Sequence, residues 1–319
     1  MSDGARVVVA LSGGIGGAKL ALGLYHTLPA DRLMVVCNTG DDFEHLGLSI
    51  SPDLDTVLYT LAGIANPETG WGRANETWTF MQTLEQLGGE TWFRLGDADL
   101  ATHVERTRHL AAGESLSAIS DDFCRRLAVH ARVVPMCDEP LRTMVHTESG
   151  VLPFQRYFVE RRCAPKVTGF EFRGADEASP TPALREALAS EQLEAVVICP
   201  SNPFISIDPI LAVPGMRAAI AVCRAPVVAV SPIIGGRAVK GPTAKMMAEL
   251  GIPASAQAVA KHYGGLLDGF VLDAADADQA RVIDVPCLAT RTLMASEDDK
   301  RTLAAGVLAF ARRIGETAR

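Results

Sequence analysis

Acidic side chains gather in two short segments of the N-terminal part of the chain. Asp41 and Asp42 end the run NTGDD, and Asp53 and Asp55 lie in SPDLDT. Magnesium commonly bridges one or two carboxylates to a phosphate, and a carboxylate can equally accept the proton of an attacking hydroxyl. Asp41, Asp42 and Asp55 are therefore candidate metal ligands or bases, a choice that the residues leave open. Asp53 could simply favour the dipole of a helix that starts at Pro52.

A glycine-rich turn is suited to binding an anion. Glycines let backbone N–H groups approach a phosphate, and the start of the helix that follows adds partial positive charge. The turn is neither a Walker A loop, because no Ser or Thr follows the lysine, nor a dinucleotide fingerprint, because the lysine replaces the last glycine. It predicts contact with phosphate or diphosphate, with a plain tight turn as the alternative. Its residues are Ser12, Gly13, Gly14, Ile15, Gly16, Gly17, Ala18 and Lys19.

Two later loops contain polar and glycine residues that could hold a nucleotide. Short Ser/Asn/Gly loops at strand ends supply hydroxyl, amide and backbone donors to a base or to phosphates. Simple turn chemistry is the alternative explanation. The candidates are Ser201, Asn202 and Pro203 in the first loop and Ser231, Gly235 and Gly236 in the second, with Lys240 shortly after.

Three further residues could contact a flat ring. Trp71 lies between two glycines, which suits stacking on a ligand better than it suits a helix. Arg94 and His103 are basic groups in an otherwise acidic chain. Trp71 could instead be a core aromatic residue, and His103 a structural histidine.

The candidate residues follow predicted strands. Apolar, β-branched runs over residues 6–11, 33–37, 195–199 and 227–230 end in these loops, with helical patterns over 19–28 and 208–223. Continuous apolar runs that alternate with helices predict an α/β fold with a doubly wound, Rossmann-like parallel sheet. In such sheets the ligand binds at the carboxyl ends of the strands.

We expect a single domain over residues 1–319. Residues from roughly 60 to 185 are predicted to be a mainly helical insertion that covers one side of the cleft. Within it, residues 131–175 are predicted as short strands with a hairpin near Glu148, Ser149 and Gly150. Outside it, residues 298–314 are predicted as an amphipathic C-terminal helix.

Composition narrows the class of protein. The net charge is −8 and no Lys/Arg cluster is present, which argues against a nucleic-acid surface. Seven cysteines without a CxxC pair indicate a reducing compartment rather than a disulfide frame or a zinc site. No signal peptide or membrane-spanning segment is predicted, so we expect a cytoplasmic protein that does not bind a membrane.

Taken together, these motifs resemble the 2-phospho-L-lactate transferase family, whose actinobacterial members use phosphoenolpyruvate-derived donors. The resemblance extends from about residue 11 to about residue 265. The matching segments are SGGIGGAKL, NTGDD, SPDLDTVLYTLAG, GWGRANETW, RLGDADLATH, PMCDEP, PSNPFISIDPILAVPGMR and SPIIGGRAVKGP.

The resemblance implies a Mg²⁺-dependent step in the biosynthesis of coenzyme F420. The donor would be a guanosine diphosphate (GDP) ester of lactate, enolpyruvate or glycerate, and the acceptor the ribityl hydroxyl of the deazaflavin Fo. The products would be GMP and F420-0 or dehydro-F420-0, and the protein would be a homodimer. The sequence does not indicate which acid the donor carries.

The resemblance also implies roles for particular residues. Asp55 and Arg94 match positions that contact the deazaflavin, and Trp71 and His103 would lie on the same side. Asp41 and Asp42 match the acidic cluster near the metal. The loops at 201–203 and 231–236 match the nucleotide side, and Asp55 with Asp41 would be the catalytic pair.

Two other functions are alternatives. A Rossmann-type oxidoreductase is disfavoured by the broken glycine fingerprint and by a second strand that ends in Cys37 and Asn38 rather than an acidic residue. A non-catalytic nucleotide-binding regulator would share the sheet but should lack an acceptor side with Trp71 and Arg94.

Overall fold

The computed structural model describes residues 6–317, and a parallel sheet lies at its centre. The strands of the described residues are β1 Val7–Ser12, β2 Leu33–Cys37, β3 Phe43–His45, β4 Leu48–Ile50, β5 Arg132–Pro135, β6 Arg142–Thr147, β7 Gly150–Pro153, β8 Val167–Arg173, β9 Leu193–Ile198, β10 Val227–Val230, β11 Ile233–Ile234, β12 Arg237–Ala238, β13 Gly269–Asp273 and β14 Cys287–Thr290. The α-helices of the same residues are α1 Gly14–Thr27, α2 Pro52–Leu61, α3 Thr79–Gln86, α4 Asp97–Ala111, α5 Leu116–Arg126, α6 Pro182–Ala189, α7 Asp208–Ala212, α8 Met216–Val222, α9 Thr243–Glu249, α10 Ala256–Tyr263 and α11 Glu297–Thr317.

The main sheet has seven parallel strands in the order β14-β13-β10-β9-β1-β2-β5. At its centre, Val9 of β1 aligns with Met34 on one side and Val196 on the other. The chain proceeds from β1 to β2 in one direction and later continues from β9 in the other, so a crevice is expected at the carboxyl ends of β1 and β9. The predicted α/β class with a doubly wound parallel sheet is confirmed.

Helices cover both faces of this sheet, which explains why β1, β2 and β10 are buried along their whole length. Apolar side chains of α1, α2, α5 and α11 form the core on one face. Side chains of α6 to α10 form the core on the other face. Strands sandwiched in this way must be apolar on both sides, which is why they read as continuous apolar runs.

Residues 60–185, which were predicted to form one insertion, do not all leave the main sheet. β5 returns to the main sheet and pairs with β2, and α5 packs on the same face as α1. The parts that leave the sheet are α3 and α4 with their loops, and a three-stranded antiparallel sheet in the order β7-β6-β8. The predicted hairpin is present between β6 and β7.

The C-terminal half also differs from the expected elements. β13 and β14 extend the main sheet but were not predicted, because short apolar runs are ambiguous by periodicity alone. The helix expected over 208–223 is broken between α7 and α8, where Gly215 has a φ of 80°. Among residues 6–317, no single helix has the length and apolar character to cross a membrane, and the helical segments Pro203–Ala212 and Met216–Val222 meet those criteria only jointly, across an 87° bend.

Candidate active site

A cavity of about 690 Å³ opens at the carboxyl ends of the central strands. Its walls come from the turn after β1, the start of α2, one face of α4, the segment after β7, and the loops after β9 and β10. The predicted site residues that line it are Gly13, Gly14, Gly16, Lys19, Asp41, Asp55, Trp71, Arg94, His103, Ser201, Asn202 and Ser231. The predicted residues outside its lining are Ser12, Gly17, Asp42, Pro203, Gly235 and Gly236.

The glycine turn is held by protein contacts as well as being open to the cavity. The Gly13 N–H donates to Ser201 Oγ at 3.1 Å, and the Gly14 N–H donates to Asp53 Oδ1 at 2.6 Å. A Cβ on Gly16 would lie 2.3 Å from the Pro200 carbonyl oxygen, so this glycine is required for close packing. The first two amides are thus already bonded, and the amides of Ile15 and Gly16, in the first helical turn, are the ones suited to an anion.

Asp53, which was expected only to favour the dipole of a helix, is a central residue of the site. Asn38 Nδ2 donates to Asp41 Oδ1 at 2.6 Å and to Asp53 Oδ2 at 2.9 Å, so the two carboxylates lie side by side. Burial raises the pKa of Asp53 to about 6 against the opposing hydrogen bonds from Asn38 and Gly14. Burial and the neighbouring charges of Asp53 and Asp42 raise the pKa of Asp41 well above its usual range.

This pair of carboxylates fits a divalent cation. Both side chains line the cavity, and within residues 6–317 neither forms an ion pair with Lys, Arg or His. Magnesium is usually bound by one or two carboxylates together with phosphate oxygens and waters, so a pair without a basic partner suits it. No group of three His, Cys, Asp or Glu side chains in the described part of the chain is arranged as a metal cage.

The predicted trio Asp41, Asp42 and Asp55 is therefore not brought together as a set of ligands. Asp42 lies outside the cavity lining, accepts a hydrogen bond from Ser51 Oγ at 2.7 Å, and has a buried second oxygen without a hydrogen-bond partner in the described structure. Burial raises the pKa of Asp42 to about 7, although Arg142 opposes the shift.

Asp55 is paired with Arg106, an arginine that was not among the predicted site residues. Arg106 donates to both carboxylate oxygens, with Nη1 3.1 Å from Oδ2, and its side chain is fully buried. His103 Nδ1 lies 3.7 Å from the same Oδ2. Burial raises the pKa of Asp55, and the charges of Arg106 and His103 partly offset that shift. The negative charge of Asp55 is thus compensated within the protein, whereas that of the Asp41–Asp53 pair is not.

A second carboxylate supports this arrangement from the other side of His103. His103 Nε2 lies 3.4 Å from Asp99 Oδ2, and the Tyr59 hydroxyl donates to Asp99 Oδ1 at 2.6 Å. Burial alone would raise the pKa of Asp99, but the interactions with His103 and Tyr59 outweigh it and lower the pKa. Asp99, His103 and Arg106 follow the four-then-three spacing of one helix face, a signal that was available in the sequence.

Two lysines give part of the cavity a positive charge. Lys19 Nζ donates to the Met294 carbonyl at 2.9 Å, and Lys240 Nζ donates to the Thr69 carbonyl at 3.2 Å. Burial lowers the pKa of Lys19, and the charge of Lys240 reinforces the shift. Trp71 follows Thr69 in the chain and is 47% exposed, so it is not a core aromatic residue.

An apolar wall lines another part of the cavity. It contains Ile50, Trp92, Phe93, Phe154 and Phe158. Arg94 lies nearby in the chain and stacks over the Trp78 ring at 4.1 Å.

The loop after β10 contributes fewer of its predicted residues to the cavity lining than expected. The hydroxyl of Ser231 bonds to the carbonyl and the N–H of Ile233 in a local turn. The Gly235 N–H donates to Asp276, and both Gly235 and Gly236 have positive φ. The two glycines are explained by turn geometry, although Ser231 itself still lines the cavity.

The fold is that of an α/β protein, and the cavity is a candidate ligand site at the switch point of its parallel sheet. Residues 8–300 match the family described as 2-phospho-L-lactate transferase CofD. The chain belongs to this family and is a transferase by that membership.

Individual relatives cover nearly the whole chain. A phosphoenolpyruvate transferase of Streptomyces griseus is 42% identical, over 96% of this chain and 99% of the relative. A 2-phospho-L-lactate transferase of Methanosarcina mazei is 40% identical, over 93% of this chain and 98% of the relative. A crystal structure of a UPF0052-family protein from Bacillus halodurans shares the fold, with a TM-score of 0.64 at 16% identity, and covers 95% of this chain and 99% of its own.

Gly16→Ala tests whether the glycine turn must pack against the loop after β9. The added methyl would collide with the Pro200 carbonyl, so we expect the free energy of unfolding to fall by about 1–3 kcal/mol in urea titrations. Gly265→Ala is the matched control, because a Cβ there meets no atom within 4 Å. Equal stability of the two variants would contradict the packing role.

Arg106→Met tests the buried ion pair. Removing the guanidinium leaves the Asp55 charge buried without its partner. We therefore expect the free energy of unfolding, measured in urea, to fall by about 3–5 kcal/mol. The double variant Asp55→Asn/Arg106→Met should regain much of that loss, because no buried charge is left uncompensated. Equal losses in the single and double variants would show that the arginine acts through packing alone.

Asp42→Asn tests the buried carboxyl outside the cavity. The unfolded carboxyl ionises near pH 4 and the folded one near 7, so wild-type stability should fall as the pH rises through this window. Measured in urea with a chelator, the variant should gain about 2–3 kcal/mol relative to wild type between pH 5 and pH 8. Asp176→Asn, at an exposed position, is the control and should show the same dependence of stability on pH as wild type. If Asp42→Asn also showed the wild-type dependence, the raised pKa of Asp42 would be excluded.

Proposed function

We propose that the protein transfers the phosphorylated moiety of a small carboxylic acid from its GDP-linked form to the ribityl hydroxyl of Fo, releasing GMP. The product would be F420-0 or dehydro-F420-0, in the biosynthesis of coenzyme F420. One observation carries the proposal: a single cavity contains a glycine turn with lysines, an uncompensated carboxylate pair and an apolar aromatic wall. The names of the relatives support the donor chemistry, with phospholactate or phosphoenolpyruvate as the transferred group.

The donor would bind at the glycine turn. Phosphoryl transfer depends chiefly on positioning and on neutralisation of charge, with little covalent participation by the protein. The Ile15 and Gly16 amides, together with Lys19 and Lys240, are suited to the diphosphate. Polar groups of Ser201 and Asn202 would contact the nucleotide from the loop after β9.

Magnesium would be held by Asp41 and Asp53. When bound there, the ion would offset phosphate charge, which the protein does not do with a basic side chain at this pair. Asn38 fixes the two carboxylates by donating to one oxygen of each.

The deazaflavin would lie against the apolar wall, with Trp71 and Arg94 as further proposed contacts. Asp55 would orient the attacking hydroxyl or accept its proton, and Arg106 would position the Asp55 carboxylate. His103 would support Asp55 rather than contact the ring directly. We also propose that the protein is cytoplasmic and forms a homodimer.

Product analysis tests the proposed reaction. The protein is incubated with Fo, Mg²⁺ and GDP esters of lactate, enolpyruvate or glycerate, and products are identified by mass spectrometry. At least one donor should give GMP and the phosphodiester of Fo. Asp53→Asn should slow transfer by about a hundredfold or more, because it weakens electrostatic stabilisation at the phosphate.

Asp176→Asn, at an exposed position, is the control and should retain the wild-type rate. No product from any of the three donors would refute the proposed reaction. A wild-type rate for Asp53→Asn would remove the carboxylate pair from the mechanism while leaving the substrates open.

A further inference from the structure

Four Lys and Arg side chains line the cavity in the part of the chain that the structure describes, and one of them differs from the others. Lys19 and Lys240 donate to backbone carbonyls, and Arg94 stacks on Trp78. Arg162, by contrast, has no hydrogen bond, ion pair or ring contact within residues 6–317. Arg162 is exposed and lines the cavity, and the described part of the protein leaves its guanidinium without a partner.

The backbone around Arg162 is in an unfavourable conformation. Arg162 and Cys163 have φ values of 49° and 56°, in the left-handed region that side-chain-bearing residues seldom adopt. The two follow a π-helical turn over Arg156–Glu160, and the Cys163 N–H donates to the Tyr157 carbonyl at 2.9 Å. Such turns and such strain recur at functional sites, where the surrounding structure holds them in place.

The segment that carries Arg162 lies beside the carboxylate pair. Gln155, near its start, donates through Nε2 to the Asp41 carbonyl at 3.3 Å. Phe158 and Val159, which lie between Gln155 and Arg162 in the chain, also line the cavity. A ligand group held by Arg162 would thus share the chamber in which Asp41 and Asp53 are placed to meet a phosphate.

The donor of the proposed reaction carries a carboxylate whose charge is not compensated by the glycine turn, the lysines or the metal. Its diphosphate is suited to the glycine turn, the lysines and the metal, but its carboxylate must avoid Asp41 and Asp53. A guanidinium binds a carboxylate through two parallel hydrogen bonds, which an ammonium cannot do. Lactate, enolpyruvate and glycerate all contain this carboxylate, whatever the rest of the acid.

We propose that Arg162 binds the carboxylate of the transferred acid and so selects donors that carry one. This inference rests on the proposed function, because it assumes a donor in which a phosphorylated acid is linked to GDP. Arg162 would act in donor recognition, and the residues that hold the diphosphate would act independently of it.

Calorimetric titration with three ligands tests the assignment: GDP, GDP esterified through its terminal phosphate to lactate, and the carboxamide analogue of that ester. Wild type should bind the acid about 10- to 100-fold more tightly than the amide. Arg162→Gln should abolish this preference and leave the affinity for GDP unchanged. Arg162→Lys should retain part of the preference for the acid, because the positive charge remains but the two parallel hydrogen bonds of the guanidinium are lost.

Two further variants separate recognition from folding. Arg161→Gln removes the adjacent exposed arginine, which does not line the cavity, and should keep the wild-type preference. Arg162→Gly should raise the midpoint of thermal unfolding, since glycine adopts positive φ without strain, and should still lose the preference.

An unchanged preference in Arg162→Gln would overturn the assignment. Equal weakening of GDP and of the ester would also overturn it, because the guanidinium would then contact the diphosphate. Wild type that binds GDP but does not distinguish acid from amide would refute the role of Arg162 and leave the nucleotide side intact. Wild type that binds neither GDP nor the ester would refute the proposed function, and this inference with it.

Discussion

The site depends on the carboxylate of Asp53, which joins three separate parts of the chain. One oxygen accepts the Gly14 N–H of the turn after β1, and the other accepts from Asn38, which follows β2. Asp53 itself lies in the first turn of α2. A Cβ at Gly13 would lie 2.5 Å from Ser206 Cβ and 2.7 Å from Asp53 Oδ2, so close packing against these two side chains requires the glycine. The turn, the strand end and the helix start are therefore positioned together.

The carboxylates at this edge of the sheet are stabilised in two different ways. Asp55 is neutralised by a buried arginine, at the desolvation cost that any buried ion pair carries. Asp41 and Asp53 have hydrogen bonds but, in the described residues, no basic partner, and burial raises the pKa of each. The charge of Asp55 is thus compensated in the absence of a ligand, whereas the charge of the Asp41–Asp53 pair is compensated only when a cation binds. This division favours Asp55 as an orienting group and the pair as the metal site.

The sequence could predict the central sheet because burial on both faces demands continuous apolar runs, and polar loops at their carboxyl ends mark a ligand site. It could not predict that Gly14 would bond to Asp53 or Arg106 to Asp55, because these partners lie 39 and 51 residues away in the chain. The start of a helix accommodates an acidic residue for its dipole alone, so Asp53 gave no local sign of a second role. Arg162 likewise carries no sequence signal, since its backbone angle and lack of partners arise only in the folded chain.

The proposed metal site can be tested most directly by anomalous diffraction from crystals grown with GDP and Mn²⁺, which takes the same oxygen ligands as Mg²⁺. We expect one manganese peak bonded to carboxylate oxygens of Asp41 and Asp53 and to the diphosphate, with the diphosphate against the first turn of α1. A peak at Asp42 or at Asp55 without the pair, or GDP bound elsewhere than at the glycine turn, would contradict it.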